Sequence, residues 1–298
     1  MRIVITGASG VVGALLRKHY TKEREKSDGS TNYTIVAICH PNDQTSYKGG
    51  PALYLDLAKC SPSEIARAFD GAEAVIHLSA LSSALTPWED VLNNNIALDQ
   101  KVFQACILAK VRRIVYASSN HINHIVTMKP PPTPASSWDP NNHDPRFTPP
   151  GGISLHDPIS PDSYYAVGKV FGEALGRHYS ARYGLEVVCL RIGWIREDDD
   201  PTTVSADKTE YIRAIYLSHE DCVGVFDCAL RVPLPLLDVS LRVVHGCPGP
   251  GGKAAPFLVA YAVSHNRRGI FDTRTGNKAL GFAPHSDSER FFLKKSNL

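Results

Sequence analysis

Two adjacent tyrosines, Tyr164 and Tyr165, precede Lys169 in the stretch SPDSYYAVGK. A phenol with an ordinary pKa of about 10 is a weak base at neutral pH, and a nearby fixed positive charge favours its phenolate. Residues four apart share a helix face, whereas residues five apart diverge by more than a quarter turn. Because Tyr165 lies four residues before Lys169, the spacing predicts Tyr165 as the proton-transferring residue and Tyr164 as a residue that packs or lines the pocket.

Polar residues end the apolar run IVYASSNH upstream of these tyrosines: Ser118, Ser119, Asn120 and His121. Open α/β sheets bind ligands at the carboxyl edge, where a hydroxyl can hold a substrate oxygen. Tyrosine and cofactor would then exchange a proton and a hydride with the same carbon centre. Paired serines after a strand also cap helices or turns, so the residues alone leave both roles open.

Three glycines in TGASGVVG, namely Gly7, Gly10 and Gly13, separate an apolar strand from an apolar-periodic helix. Such a turn lets backbone N–H groups and the positive end of the helix approach a pyrophosphate. The spacing differs from the usual G-x-G-x-x-G fingerprint, and glycines also form purely structural turns. The position directly between strand and helix favours dinucleotide binding.

The tip of the second strand, VAICHPND, holds Cys39 and His40 where NAD sites usually carry an acidic residue. Without a carboxylate to repel a 2′-phosphate, the cofactor is NAD or NADP, with His40 or Arg17 as candidate phosphate contacts. In the alternative interpretation, Asp43 moves into the slot. Asp56, ahead of the next helix, either caps that helix or contacts the adenine.

Strands alternate with helices along the chain, which predicts a Rossmann-type, doubly wound parallel sheet. The sequence predicts a dinucleotide-binding domain over 1–190 and a smaller substrate-binding lobe over 191–298, interleaved with the core. A Pro-rich insert at 129–161 interrupts the pattern and is either a lid or a mobile insert. The predicted strands are RIVITG, YTIVAIC, AEAVIHLSA, RIVYASS and LEVVCLRIG, and the predicted helices are 11–24, SPSEIARAFDG, NNNIALDQKVFQACILAK and about 163–183.

Composition excludes several classes of protein. The 298 residues are 43% hydrophobic and 21% charged, as expected of a soluble globular protein. Lys plus Arg (32) nearly balance Asp plus Glu (30), and no basic run suggests a nucleic-acid partner. No leader and no membrane-spanning run are recognisable, and the seven scattered cysteines favour a reducing compartment, so a cytoplasmic protein is expected. No group of residues has metal-ligand spacing, so no metal is expected.

The motifs TGASGVVG, ASSNH and YAVGK, in this order, resemble those of the extended short-chain dehydrogenases/reductases, the NAD-dependent epimerase/dehydratase family. Within that family the chain most resembles the uronate dehydrogenases, through the helix YAVGKVFGEALGRHYSARYG and the tail FDTRTGNKALGFAP. The resemblance implies hydride transfer between NAD(P) and a hydroxyl carbon of a sugar, sugar acid or related metabolite. It also implies that the protein forms a homodimer.

The resemblance also implies roles for individual residues. Lys169 would hold the nicotinamide ribose and assist the tyrosine. The implied catalytic residues are Ser119, Tyr165, Lys169 and Asn95. The implied cofactor-binding residues are Gly7, Ser9, Gly10, Val11, Val12, Gly13, His40, Asp56, Leu57, Leu78, Ser79, Ala80, Tyr165, Lys169 and Ile192. The implied substrate-binding residues are Ser82, Ser119, Asn120, His121, Trp194 and Arg213.

Two departures from the uronate dehydrogenase pattern concern the substrate. Trp194 stands where those enzymes have a serine, and Tyr211 stands where they have a carboxylate-binding arginine, with Arg213 two residues further on. Two other functions stay open: an epimerase or dehydratase that retains NAD, and a non-catalytic dinucleotide-binding regulator. His77, inside an apolar strand, is predicted to be a hydrogen-bonded core residue, and Ser218 with Asp221 a helix-capping box.

Overall fold

The computed structural model describes residues 1–26, 33–44, 47, 49–124, 148–204, 206–234 and 255–295. Within these residues, seven parallel strands form one sheet in the order β3-β2-β1-β4-β5-β6-β7. The doubly wound Rossmann-type fold is therefore confirmed. The strands are β1 (Arg2–Thr6), β2 (Thr34–Cys39), β3 (Ala52–Tyr54), β4 (Ala74–His77), β5 (Arg113–Ser119), β6 (Glu186–Ile192) and β7 (Phe257–Ala262).

Helices cover both faces of this sheet. The helix predicted at about 163–183 is α5, which Ser163 caps at its start and Gly184, with φ +73°, ends in the left-handed region. The helices are α1 (Val11–Lys26), α2 (Pro62–Ala68), α3 (Trp88–Val91), α4 (Ala97–Leu108), α5 (Tyr164–Tyr183), α6 (Ala206–Ile215), α7 (His219–Arg231), α8 (Arg274–Leu280) and α9 (Glu289–Lys295).

The sequence prediction missed several elements, among them β3, α3, α6 and β7. Strand β3 is only three residues long and follows a Gly-rich turn, so it carries almost no periodic signal. The helix predicted to begin at Asn93 begins at Trp88, and a π-helical segment, Leu92–Ile96, joins α3 to α4.

A topological switch point lies between β1 and β4. From β1 the chain moves outward to β2 and β3, then crosses back to β4 on the other side of β1. Thr6 at the end of β1 lies opposite both Ile38 of β2 and His77 of β4. A crevice opens beyond these strand ends, which is where open α/β sheets bind ligands.

Residues after position 190 complete the sheet and its cover. Strand β7 pairs with β6, and α7 packs its apolar face against the core beside α1. A separate apolar cluster joins α6 to Ile153, Tyr261 and Phe271. The division into domains at residue 190 stays a prediction. Of the predicted insert, residues up to 147 lie outside the described residues, and the remainder joins this cluster through the pairing of Ile153 with Phe271.

Two predictions about single polar residues concern this framework. His77 is buried and hydrogen-bonded on both ring nitrogens, to Thr6 and Asp99, as expected of a core histidine. Ser218 caps α7 by accepting the N–H of Asp221. The capping box itself is wrong, because the Asp221 carboxylate accepts instead from the backbone N–H groups of His285 and Ser286. No helix among the described residues is both long enough and apolar enough to span a bilayer.

Candidate active site

A cavity of about 390 Å³ lies beyond the carboxyl ends of β1, β4, β5 and β6. The three motifs singled out in the sequence converge there from separate parts of the chain. Of the predicted site residues, those that line the cavity are Gly7, Gly10, Val11, Val12, Gly13, Leu78, Ala80, Ser82, Ser119, Asn120, His121, Tyr165, Lys169, Ile192 and Trp194. Those that do not line it are Ser9, His40, Asp56, Leu57, Ser79, Asn95 and Arg213.

The glycines of the turn after β1 serve two different purposes. A Cβ on Gly7, whose φ is +64°, would lie 2.8 Å from the Ser79 nitrogen, and one on Gly13 would lie 2.7 Å from the Cα of Ala8. These two glycines therefore allow close packing. A Cβ on Gly10 would meet only the Gly7 carbonyl oxygen, at 3.5 Å, although Gly10 lines the cavity. The space above Gly10, at the N-terminus of α1, fits a dinucleotide pyrophosphate.

The region at the end of β2 holds both a carboxylate and a guanidinium. Ser9 in the glycine turn donates to Asp43 Oδ2 at 2.6 Å, so the alternative placement of Asp43 beside the turn agrees with the structure. Arg17 donates to the carbonyls of Ala8 and Gly49, and its guanidinium lies 4.4 Å from the centre of the Tyr47 ring. A carboxylate suits a ribose diol and a guanidinium suits a 2′-phosphate, so these contacts leave NAD and NADP both admissible.

His40 and Asp56 lie beside each other at the rim of this region. His40 Nε2 is 3.7 Å from Asp56 Oδ2, and Lys59 Nζ is 3.0 Å from the same oxygen. The hydrogen bond from Lys59 lowers the pKa of Asp56. Their predicted contacts with the adenosine half of the cofactor stay predictions.

The first two turns of α5 place Tyr165 and Lys169 at the cavity. Tyr165 is 8% exposed, whereas Tyr164 is 58% exposed and packs against the Trp88 ring, with ring centres 5.7 Å apart. Lys169 is buried, with Nζ 5.7 Å from the centre of the Tyr165 ring and 4.8 Å from that of Tyr116. The helical spacing therefore selected the tyrosine that faces the cavity.

The electrostatics of this pair favour a protonated phenol in the protein alone. Burial raises the pKa of Tyr165 to about 12, and a hydrogen bond with Ser119 opposes that shift. Burial also lowers the pKa of Lys169, against the attraction of the Asp99 carboxylate. A further positive charge near the phenol is needed before the phenolate is favoured at neutral pH.

The paired serines at the end of β5 make different contacts. Ser118 donates to Glu173 at 2.6 Å, and Glu173 in turn forms a two-pronged ion pair with Arg191. Ser119 caps the 3₁₀ helix Asn120–Asn123 by accepting the N–H of His121 at 3.2 Å, and it also lines the cavity. Ser119 therefore caps a turn and also lies at the cavity beside Tyr165, and its predicted contact with a substrate oxygen stays a prediction.

A cluster of His121, His124 and Asp162 adjoins the substrate end of the cavity. His121 Nδ1 is 2.7 Å from Asp162 Oδ2, and the Tyr211 hydroxyl contacts the His124 ring. Ligand atoms of the two histidines and the carboxylate all lie within 4.8 Å of one another, which makes the group chemically able to hold a metal ion. The sequence interpretation named only His121, since the three residues lie on either side of the Pro-rich insert. The expectation that no metal takes part stays a prediction.

Asn95 does not line the cavity but organises its wall. Its side-chain oxygen accepts the Leu81 N–H at 2.8 Å, and its nitrogen donates to the Leu81 carbonyl at 3.1 Å. These bonds fix the segment that carries Ser82 into the cavity. The predicted catalytic role of Asn95 stays a prediction.

Arg213 lies away from the cavity, in contrast to its predicted contact with substrate. Its guanidinium binds Glu289 through two nitrogens and Glu210 through a third, and it lies 4.0 Å from the centre of the Phe292 ring. Glu210 lies only three residues before Arg213, but nothing in the nearby sequence indicates the pairing with Glu289, which is 76 residues further along the chain.

The parallel sheet, the glycine turn and the convergent serine, tyrosine and lysine define a class of protein, the dinucleotide-dependent oxidoreductases of the extended short-chain type. The model of the NAD dependent epimerase/dehydratase family matches residues 3–195, and the chain belongs to that family. The chain is 33% identical to an L-arabinose 1-dehydrogenase (NAD(P)(+)) of Haloferax volcanii, over 82% of this chain and 87% of the relative.

Other relatives carry uronate names. The chain is 27% identical to a uronate dehydrogenase of Pseudomonas syringae pv. tomato, over 98% of this chain and 85% of that protein. A solved glucuronic acid dehydrogenase from Chromohalobacter salexigens superposes with a TM-score of 0.71 at 23% identity, covering 99% of this chain and 88% of the other. That structural likeness shows the fold alone.

The glycine turn yields a paired prediction. Gly10→Ala is expected to fold with wild-type stability and to bind NAD(H) or NADP(H) at least about tenfold more weakly, because its methyl group enters the space reserved for pyrophosphate. Gly13→Ala, the control, is expected to lose about 1–3 kcal/mol of unfolding free energy through backbone overlap. Fluorescence titration with reduced cofactor and urea unfolding measure the two quantities. Unchanged cofactor affinity in Gly10→Ala would contradict the assignment of the turn.

The tyrosine pair yields a second prediction. Tyr165→Phe is expected to lower kcat about 10²–10⁴-fold while cofactor affinity is retained, because it removes only the acid–base hydroxyl. Tyr164→Phe, its immediate neighbour, should keep kcat within about twofold. The measurement is steady-state absorbance of reduced cofactor for both variants and the wild type. A Tyr165→Phe protein with full activity would overturn the assignment.

Proposed function

We propose that the protein is an NAD(P)-dependent sugar dehydrogenase that oxidises the anomeric carbon of a neutral aldose to a lactone. The convergence of Ser119, Tyr165 and Lys169 with the glycine turn on one cavity is the observation that supports this reaction. When bound, the oxidised cofactor would accept the hydride released as the C1–H bond breaks, and the O1 proton would pass to Tyr165. The electron pair left on O1 forms the second C1–O1 bond, the carbonyl of the lactone.

Each of these residues has a distinct part in that step. The Ser119 hydroxyl holds the substrate oxygen beside Tyr165, and the Tyr165 phenolate accepts its proton. The Lys169 ammonium stabilises that phenolate and is placed to hold the nicotinamide ribose. The oxidised cofactor, when bound, supplies the hydride acceptor and a positive charge that favours the phenolate.

The charges around the substrate end favour a neutral sugar over a uronate. Among the described residues that line the cavity, the basic side chains are Lys169 and His121. Lys169 faces the tyrosine, and His121 is already paired with the buried carboxylate of Asp162. Arg213 is bound to Glu289, and Tyr211 stands in place of the expected arginine. A substrate carboxylate would thus be desolvated without a dedicated cation, which is costly. The L-arabinose 1-dehydrogenase relative is named for a neutral aldose.

Retained-cofactor chemistry and simple dinucleotide sensing are the competing functions. An epimerase or dehydratase begins with the same oxidation but returns the hydride to the product. A sensor would need the glycine turn but not the buried tyrosine and lysine. The relatives named as dehydrogenases favour net oxidation.

The substrate class is tested with pairs of sugars that differ only at C6. Purified protein is assayed with NAD and with NADP against two pairs, D-glucose with D-glucuronate and D-galactose with D-galacturonate. L-Arabinose is assayed as a further neutral aldose. We expect kcat/KM to be at least about tenfold higher for the neutral member of each pair, which corresponds to about 1.4 kcal/mol of transition-state stabilisation. Faster oxidation of the uronates would contradict the neutral substrate. Sugar turnover with no reduced cofactor released would support the epimerase alternative.

We also propose that the protein is cytoplasmic and acts as a homodimer. The six cysteines among the described residues are free thiols, in keeping with a reducing compartment. Trp88 and Leu92 on one side, with Tyr164 and Val167 of α5 on the other, expose apolar surface around the contact of the Trp88 and Tyr164 rings. A surface of this kind favours association with a second copy.

Light scattering during gel filtration tests the dimer. The chain mass is 32.5 kDa, so a mass about twice that value is expected for the wild type. Trp88→Glu should shift the population toward monomer, whereas Leu108→Glu, which is also exposed but lies at the end of α4, should not. A wild-type monomer at high protein concentration would contradict the proposal.

A further inference from the structure

Four buried polar side chains form a hydrogen-bonded chain that leads to Lys169: Thr6, His77, Asp99 and Tyr116. Thr6 Oγ1 is 2.7 Å from His77 Nδ1, and His77 Nε2 is 3.0 Å from Asp99 Oδ1. The Tyr116 hydroxyl donates to Asp99 Oδ2 at 2.6 Å. The Lys169 ammonium lies over the Tyr116 ring, 4.8 Å from the ring centre. The proposed mechanism uses only Lys169.

The hydrogen bonds assign the protons in this chain. Thr6 Oγ1 accepts the N–H groups of Leu78 and Ser79, at 3.2 and 3.4 Å, so its own proton is donated to His77 Nδ1. His77 is then the neutral tautomer with its proton on Nε2, and it donates to Asp99. Asp99 accepts from both His77 and Tyr116, which is the bonding of an ionised carboxylate.

This assignment leaves Asp99 with a negative charge in the protein interior. Asp99 and Lys169 are only 1% and 3% exposed. An isolated buried charge is costly, and an opposite charge nearby offsets part of that cost. Asp99 and Lys169, which both contact Tyr116, thus stabilise each other's charged form. The Asp99 carboxylate acts on Lys169 and on Tyr165 in the same direction, since it raises the pKa of both groups.

We propose that Asp99 is a positioning residue for the dehydrogenase reaction, and that its buried negative charge, oriented by His77 and Tyr116, keeps the Lys169 ammonium charged beneath the catalytic tyrosine. The other groups around the pair do not replace it. Cys189 of β6 is a buried thiol whose pKa is raised well above its usual value, so it carries no charge. Asp162, which follows the Pro-rich insert, also raises the pKa of Tyr165, and its carboxylate is hydrogen-bonded to His121.

The variant that tests this inference is Asp99→Asn, because it removes the charge and keeps the shape. Its side-chain oxygen can accept from His77 Nε2–H, and its nitrogen can donate to the Tyr116 hydroxyl oxygen, so the histidine keeps its tautomer. The fold is therefore expected to survive with a modest loss in Tm. In this variant both Tyr165 and Lys169 should lose protons at lower pH than in the wild type.

The activity readout is the pH profile of kcat for sugar oxidation, so this arm rests on the proposed function. Proton loss from Tyr165 sets the acidic limb, and proton loss from Lys169 sets the alkaline limb. Asp99→Asn should displace both limbs toward acid by about half a pH unit or more. Tyr116→Phe is the matched control, because it removes one hydrogen bond to Asp99 and retains the charge. Its limbs should stay in place even where its rate falls.

A second readout does not require turnover. Protein labelled with ¹³C at the lysine ε-carbons is titrated by NMR without cofactor or sugar, and the Lys169 signal is identified by its loss in Lys169→Met. That signal should titrate at lower pH in Asp99→Asn than in the wild type. A signal that titrates at the same pH in both proteins would overturn the inference, as would a kcat profile that loses height without moving. A wild type inactive on every sugar would refute the proposed function alone, because the NMR titration would still decide the role of Asp99.

Discussion

The buried opposite charges of Lys169 and Asp99, both in contact with Tyr116, constrain much of the molecule. Four elements must stand at fixed distances to form this arrangement: β4 supplies His77, α4 supplies Asp99, β5 supplies Tyr116, and α5 supplies Lys169. Gly172 on α5 is part of the same constraint, because a Cβ there would lie 2.0 Å from the Tyr116 hydroxyl oxygen. The helix that carries Tyr165 can approach Tyr116 of β5 this closely only where the helix lacks a side chain.

The same interior also supports the cofactor cradle. Thr6 ends the strand before the glycine turn and accepts the N–H groups of Leu78 and Ser79, which follow β4. Gly7 packs directly against that second segment. The surface expected to bind the dinucleotide and the pair expected to transfer the proton are therefore parts of one hydrogen-bonded unit. A substitution in this interior would therefore affect both dinucleotide binding and proton transfer.

The sequence predicted what depends on local pattern. Helical spacing distinguished Tyr165 from Tyr164, strand and turn signals located the glycine turn, and alternating elements predicted the parallel sheet. It could not predict pairings between distant residues. Asp99 meets Tyr116 and His77 from a helix that reads as an ordinary amphipathic segment, and Arg213 meets Glu289 from 76 residues away. The position of Asp43 beside Ser9 depends on how the loop after β2 folds back, which no periodicity encodes.

The central claim is that this site transfers a hydride from the anomeric carbon of a sugar to NAD(P). The most direct test is to supply an aldose deuterated at C1 and to analyse the products by mass spectrometry and NMR. The account predicts that the deuterium is found in the reduced nicotinamide, with none in solvent, and that the lactone lacks it. Deuterium that remains at C1 of the sugar product, or that exchanges into water, would contradict the account and indicate a different reaction.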